Sequence, residues 1–498
     1  MSLANCHVVL ILASLAAIIL IAIPLYRLSP LHPLYSFPGP RLYKASELPM
    51  LYHAIRGTQH NVLKRLHDEY GSVVRIGPSS LTFKSLSAIR KIYGSSQALN
   101  KSSAYDFAPI EGDGIFKMQD KDTHTARRRI WNRAFTEHAI SEYYAPLVLT
   151  TQRLIRTLLR GTREAGAVDL TEIFPRYTYD AINAIFFSGN AFEQASLLDS
   201  GDPEGIVAHG SAYFKAFGLG SHIRPVVAHI AKRIPGYSTL MKFEGFAERA
   251  TRRRLENGPS FKDGISYLLD NEHGKPTVNV KDLPVESVVI LLGGADSPSA
   301  TCILLMYFLM TNPNWYGLLC AELDEFFREK YFNAQLHALD NCVVLNAVIQ
   351  ESLRLSSPFP PFPRVVPPTG IEINNHFVPG GTSVAVPVWT HHLDPEYFPQ
   401  PNLFDPGRWI ENSVFKGRDT LFTFSAGPFN CAGSRLAYVQ LRIFTAMLVT
   451  QLKFTPTAPF DAGKFWDGMR SFRSTTFLEP LLVSVVSRGV HVHELEIS

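Results

Sequence analysis

FSAGPFNCAG, Phe424 to Gly433, sets one cysteine inside a frame of glycines, and SRLAYVQLRIFTAMLVTQL follows at once with helical spacing. A cysteine at the mouth of a helix faces unsatisfied backbone N–H groups and the positive end of the helix dipole. Both favour thiolate over thiol. Gly427 permits a turn with positive φ, and Gly433 lets a flat, rigid object lie close to the backbone. Phe424 stands where it can shield the sulfur from water. Taken alone, the pattern fits an inert buried cysteine equally well, so its meaning depends on the rest of the chain.

The chain has 498 residues, enough for one large domain or several ordinary ones. Hydrophobic residues make up 46%, as in globular proteins, and charged residues only 18%. The net charge is +4 with no long basic block, which argues against a nucleic-acid partner. The five cysteines (Cys6, Cys302, Cys320, Cys342, Cys431) are odd in number and scattered, with no CxxC pair. Neither a disulfide framework nor a structural zinc site is supported.

HVVLILASLAAIILIAIPLY, His7 to Tyr26, is about 20 residues long without a strongly charged side chain, the length of a bilayer-spanning helix. No positive stretch precedes it, unlike a cleaved signal peptide, and Arg27, Arg41 and Lys44 follow it. This predicts an uncleaved anchor over 1–26, in membrane lipid, with the bulk of the protein in the cytosol. Pro30, Pro33, Pro38 and Pro40 then predict a stiff, extended spacer over 27–49. A single catalytic domain is expected over 50–498.

That domain reads as mainly α with a small β-sheet region. Amphipathic spacing marks LKRLHDEYG, the run Ala126–Leu159 and the run after Cys431 as helices. Strand signals are short: SVVRIG, SLTF, and EINNHFVPGGTSVAVPV, where VPGG is expected to turn between two alternating runs. The apolar run Ser287–Met310 carries Gly293, Gly294, Asp296, Ser297 and Pro298 at its middle. Glycine and proline weaken a helix interior and a buried aspartate needs a partner, so this stretch is costly as mere structure.

A dry, donor-rich thiolate suits an axial ligand of haem iron. Upstream of Cys431, ESLR places Glu351 and Arg354 at i,i+3 on one helical face, and FDPGRW adds Arg408. Together these residues resemble the cytochrome P-450 family: an FxxGxxxCxG loop, an ExxR helix, a PxRW segment between them, and a long helix carrying GGxD. The order holds over roughly the whole chain after the anchor. HPLYSFPGPR, YGSVVRIGP and HHLDPEYFPQPNLFDPGRW are similar to membrane-bound fungal members in particular.

The resemblance implies the cytochrome P-450 fold and haem b with Cys431 as its thiolate ligand, on a loop shaped by Phe424, Gly427 and Gly433. Glu351, Arg354 and Arg408 match the buried triad that ties the ExxR helix to the segment before the loop. Arg364, His124 and Arg128 match the partners of the haem carboxylates, with His124 where the family has tryptophan. Asp296 and Ser297 match the acid and hydroxyl that deliver protons during oxygen activation.

Two positions depart from that pattern. Phe429 stands where most members have Arg or His as a carboxylate partner, leaving the haem one contact fewer. Pro298 follows Ser297 where a second threonine is usual. Its ring crowds the Gly294 carbonyl and it has no N–H to give, which predicts a kink near Gly294.

The implied activity is haem-thiolate monooxygenation of a lipophilic small molecule in fungal secondary metabolism, a terpenoid-like scaffold for example. Electrons would come from NADPH through a separate NADPH–cytochrome reductase docking near Arg435 and Arg442, at the cytosolic face of the endoplasmic reticulum membrane. Phe107, Phe116, Phe214, Phe217 and Phe472 are candidates for an apolar pocket. Isomerase or dehydratase activity on the same fold, and a non-catalytic haem-binding protein, are the competing readings. Retention of both Asp296 and Ser297 places monooxygenation ahead.

Overall fold

The structure is a computed structural model that describes His7, Ser14 and residues 20–489, except 95–97, 106–111, 193–195, 221–236, 272–273, 329–335, 357–361, 411–415 and 473. Most of the expected anchor lies outside the described residues; residues 20–28 are helical, with Leu20, Ile21, Ile23, Leu25 and Tyr26 exposed.

Helices dominate, and their ends follow local chemistry. Helix α1 (Lys121–Trp131) begins under Asp120, whose carboxylate accepts from the N–H groups of Asp122 and Thr123. A short 3₁₀ turn, Asn132–Phe135, separates it from α2 (Glu137–Ala165), so the run expected as one helical stretch is two. Thr136 caps α2, and Gly166 ends it in the left-handed region. Helices α3 (Leu170–Phe186), α4 (Ile206–Gly220), α5 (Tyr237–Asn257), α6 (Leu283–Leu291), α7 (Ser297–Thr311), α8 (Val343–Leu355) and α9 (Ser434–Gln451) complete the frame that matters for the site. Their apolar faces share one core, in which Phe174 of α3 meets Phe444 of α9 edge-on at 5.0 Å.

Strands β1 (Val73–Gly77), β2 (Ser80–Phe83), β3 (Arg364–Val365) and β4 (Ser383–Ala385) form a sheet in the order β1-β2-β4-β3. Pairing is antiparallel except between β2 and β4. The hairpin expected to turn at VPGG turns earlier. Ile371–Ile373 pairs with His376–Val378 through Asn374 and Asn375, both at positive φ. Asparagine tolerates the left-handed region that a two-residue hairpin demands. The second half, Ser383–Ala385, leaves to join the larger sheet.

The stretch expected as an extended spacer is folded onto the domain. Leu34 and Phe37 are buried with Val73, Leu81 and Phe83, and Arg41–Ala45 is a helix. Arg75, fully buried, donates to the carbonyls of Arg27, Leu34, Lys44 and Pro78. A buried guanidinium without an acid can be satisfied by carbonyls, and the proline-rich turns supply them.

Residues 280–311 form the long central helical run. Among the described residues this is the segment long and apolar enough to cross a membrane, and it is mostly buried as core. Where a kink is expected, the run widens into a π turn, Leu292–Asp296, between α6 and α7. Pro298 sits in the first turn of α7, where its missing N–H is tolerated. The π turn absorbs the mismatch that the proline would otherwise impose on the i→i−4 ladder.

Candidate active site

The loop before α9 is held rigidly. Gly427 has φ +68, and a Cβ there would fall 1.8 Å from the carbonyl oxygen of Tyr93, so only glycine fits. The Cys431 N–H donates to the Phe424 carbonyl at 2.9 Å, closing the loop on itself. The Phe424 ring packs on Tyr438 at 5.6 Å. Gly433 is different: a Cβ would meet only the Phe135 ring, at 3.5 Å, so protein contacts do not demand glycine there.

Water can reach Cys431. Even so, desolvation by the surrounding protein is the largest influence on its thiol and raises its pKa, against the Gly433 N–H and the Arg128 charge. A coordinating metal ion deprotonates a thiol outright. Among the described residues no group of three or more His, Cys, Asp or Glu side chains converges to hold a metal.

Behind the loop stands the predicted triad. Glu351 and Arg354, both fully buried on α8, pair at 2.7 Å, and Arg408 adds a bond to the same carboxylate at 3.1 Å. The Trp409 indole and the Asp405 N–H also donate to it. Arg354 spends its remaining N–H groups on the carbonyls of His392, Pro401 and Leu403. The pair is thus satisfied, as a buried pair must be.

Sequence reasoning missed His392. Its Nδ1 lies 3.0 Å from the Arg354 carbonyl, and its Nε2 accepts from the Phe422 N–H at 2.9 Å. This pairing requires the neutral Nδ1–H tautomer, and burial lowers the pKa well below its ordinary value. The Thr423 hydroxyl donates to the Leu353 carbonyl, so α8 and the cysteine loop are tied twice.

On the loop's other side the predicted carboxylate partners gather around Phe429. His124 lies 4.5 Å from its ring, and the Arg364 guanidinium 5.0 Å from it. Both are buried, and His124 Nδ1 and Arg364 Nε have no hydrogen-bond partner. Desolvation and three neighbouring cations lower the His124 pKa to about 3, which keeps it neutral. Arg128, by contrast, is engaged with the loop: its guanidinium donates to the Asn430 side chain at 2.9 Å and to the carbonyls of Asn430 and Cys431. A residue absent from the sequence reading, Lys101, completes the cluster with Nζ 5.1 Å over Phe429.

On the central helical run, the Ser297 hydroxyl donates to the Gly293 carbonyl at 2.9 Å, across the π turn. Gly293 is exposed with no atom near its missing Cβ, while a Cβ at Gly294 would strike Ile182 Cδ1 at 2.4 Å. Gly294 therefore serves close packing on α3, and Gly293 faces open space. Asp296 is buried with Oδ2 unpartnered. Desolvation raises its pKa to about 6, while the Ser474 hydroxyl and Lys215 pull it back.

Of the aromatic pocket candidates, Phe107 and the Phe217 side chain lie outside the described residues. Phe116 packs at a tilt against Tyr105, with Lys101 over its ring, Phe214 packs on the core, and Phe472 lies beneath Lys215. Arg435 is exposed, and Arg442 is half-buried and bonded to Asn346.

The family model described as Cytochrome P-450 matches residues 38–463. The chain is 27% identical to the cytochrome P-450 monooxygenase astD of Aspergillus oryzae, covering 92% of this chain and 90% of that protein. It is 27% identical to tryprostatin B 6-hydroxylase of Neosartorya fischeri, over 84% of this chain and 76% of the other. With the cytochrome P-450 monooxygenase phqL of Penicillium fellutanum the identity is 29%, over 87% and 77%.

Proposed function

This chain belongs to the cytochrome P-450 family of monooxygenases, and we propose that it inserts one oxygen atom from O₂ into a lipophilic small molecule of fungal secondary metabolism. The family implies haem with a cysteine thiolate ligand. Haem so ligated supplies oxygen activation, with one atom going to substrate and the other to water at the expense of two electrons and two protons.

The observation that carries this reading is the pairing of one sulfur with one cation cluster. Cys431 sits on a loop whose shape is fixed by Gly427 and Arg128. Beside it, buried Arg364 and His124 bring an Nε and an Nδ1 without hydrogen-bond partners to Phe429. Buried Lys101 lies over the same ring with its ammonium bonded only to the carbonyls of Ile115 and Phe116, and no carboxylate among the described residues is bonded to the three. Buried cations need anions, and the two carboxylates of haem b fit them. Cys431 would hold the iron; Arg364 and His124 would hold the carboxylates, while Arg128 fixes the loop. Gly433, which protein contacts leave free, suits close approach of a flat group.

The chain's own residues would then manage protons and water. Ser297 keeps its hydroxyl pinned to the Gly293 carbonyl, which leaves its oxygen free to accept a further hydrogen bond. Asp296, with a pKa of about 6, can hold or release a proton near neutrality. The named hydroxylase relative supports a hydroxylation outcome.

An anchor over 1–26 in the endoplasmic reticulum membrane, with the domain over 50–498 facing the cytosol, remains part of this proposal. The exposed apolar side chains of the helical stretch 20–28 support it. Electrons would come from NADPH through a separate reductase, with exposed Arg435 at its docking face. The test is the difference spectrum of the reduced chain with carbon monoxide, followed by NADPH- and oxygen-dependent product formation with a reductase. A Cys431→Ser chain that keeps pigment, spectrum and turnover would sink the reading. Product formed without oxygen or NADPH would point to isomerisation or dehydration instead.

A further inference from the structure

We propose that the substrate carries a secondary amide, read between the ammonium of Lys215 and the free carboxyl oxygen of Asp296 beside the ring of Phe472. This rests on the monooxygenase reading above and names the chemical class of its lipophilic substrate.

Three elements distant in the chain bring these groups together. Asp296 ends the π turn of the central helical run, and Lys215 stands on α4. Phe472 and Ser474 belong to the turn between two antiparallel strands, Met469–Ser471 and Thr475–Phe477. Its backbone is fixed at both ends. The Phe472 N–H donates to the Ser474 carbonyl at 2.8 Å, and the Ser471 N–H donates to the Gly57 carbonyl at 2.9 Å. A Cβ at Gly57, where φ is +65, would fall 2.7 Å from the Phe472 ring, so glycine there lets the ring lie close.

The polar groups of this cluster have bonding capacity to spare. The Ser474 hydroxyl bonds the Asp296 carboxyl, yet Asp296 Oδ2 is buried without a partner. The Tyr179 hydroxyl is near enough to feel the same charge and does not bond it. A buried acceptor left unmet is costly, so a donor from a ligand would be well received. Lys215 Nζ lies 4.9 Å from the centre of the Phe472 ring and acts on Asp296 through space. Among the described residues no carboxylate forms an ion pair with Lys215. One side of the cluster thus offers an acceptor and the other offers donors.

Charge decides what fits between them. With Asp296 ionised, its charge and that of Lys215 cancel over the pair. A carboxylate on the ligand would stand beside a second carboxylate, and an ammonium beside a second ammonium. Both are disfavoured by repulsion. A neutral group with one carbonyl oxygen and one N–H meets both sides. A secondary amide holds the two on one rigid plane, so little freedom is lost in aligning them. Phe472 is only half-buried and leaves apolar surface for the rest of the molecule.

The test is calorimetric titration of the full-length holoprotein at about pH 8, where Asp296 is ionised. The probes are N-methylhydrocinnamamide, methyl hydrocinnamate and the hydrocinnamate anion, which share one apolar body. The amide should bind about tenfold or more tighter than the ester, which lacks the N–H, and the anion should bind weakest. Lys215→Met should weaken the amide and the ester alike by about tenfold, and Lys215→Arg should restore both. Unchanged amide affinity in Lys215→Met overturns the proposal, as does an ester that matches the amide. An anion that binds tightest to the parent chain overturns it too, because the cluster would then read charge. If Lys215→Met does not fold, the order of the three probes on the parent chain still decides. The reduced spectrum with carbon monoxide separates the two readings. A chain that shows it without the amide preference fails this proposal alone, and a chain that takes up no haem fails the haem reading and this proposal with it.

Discussion

The guanidinium of Arg75 donates to the backbone carbonyl of Arg27 at 3.1 Å, joining two residues 48 positions apart. The Arg27 side chain returns the link by donating to the Ala45 carbonyl at 2.7 Å. The segment following the apolar N-terminus is therefore locked to the domain rather than hung from it. Arg75→Met would leave at least the carbonyls of Leu34 and Pro78 buried without this donor. We expect a loss of about 2–4 kcal/mol in chemical denaturation, with new protease cleavage inside 29–45. Unchanged stability and an intact cleavage pattern would show the contacts to be incidental.

His392 carries the second prediction. It bridges the Arg354 carbonyl and the Phe422 N–H, both buried, in one tautomer. His392→Ala orphans two backbone groups and opens space behind the cysteine loop, so about 3 kcal/mol should be lost. Haem should also be retained less well while helix content stays the same. The competing possibility is that Thr423 alone, through the Leu353 carbonyl, is tie enough. In that case the variant would match the parent by both measures.

Glu351, Arg354, Arg408 and Cys431 could be found in the sequence because short-range patterns state their chemistry: a charged pair inside an apolar helix, a cysteine between glycines. The structure buries the first three together and places the fourth on a loop tied to them. Lys101 could not be found that way. Its partner Arg364 is distant in the chain, and a one-residue bridge leaves no periodicity to read. The linker misled for a related reason. Its prolines describe the local chain correctly as stiff, but whether stiff chain extends or packs depends on Leu34, Phe37 and the distant Arg75. At VPGG the glycines drew the turn away from Asn374–Asn375, whose left-handed φ values need side-chain tolerance, not glycine.

Glu286 should impose a pH dependence. It is fully buried at the start of the central helix, and desolvation raises its pKa to about 7. Arg127 of α1 and the Ile115 N–H oppose that shift, Asp282 on its own segment adds to it, and Lys101 lies close enough to interact. The native state therefore binds this proton more tightly than the unfolded chain does. Its stabilising contribution is full below about pH 4.5 and is lost as the pH rises through about 7. The difference is on the order of 3 kcal/mol. Glu286→Gln should flatten this part of the stability profile between about pH 5 and 8, while the Ile115 contact survives through the amide oxygen. Parallel profiles for the two proteins would rule the titration out.

Ser297 tests the proton path. Its hydroxyl donates to the Gly293 carbonyl across the π turn. Ser297→Ala removes both the hydroxyl and that bond, so product formed per NADPH consumed should fall about tenfold or more. NADPH oxidation itself should continue. Ser297→Thr should retain coupling, since the hydroxyl persists. Full coupling in the alanine variant would exclude the hydroxyl from proton delivery.

Gly294 separates packing from chemistry on the same turn. A Cβ there would lie 2.4 Å from Ile182 Cδ1 and 2.7 Å from Cγ1, on the face of α3 that supports the central helix. Gly293 meets nothing within 4 Å. Gly294→Ala should therefore cost about 1–3 kcal/mol through overpacking, whereas Gly293→Ala should leave stability nearly unchanged. Ile182 is itself buried, so Ile182→Ala alone destabilises by leaving a cavity. Combined with Gly294→Ala, that cavity receives the new methyl, and the two losses should fall short of additive by about 1 kcal/mol. Simple additivity in thermal or denaturant unfolding would mean that the helix shifts away from α3 instead. The glycine would then matter for the π turn rather than for close approach.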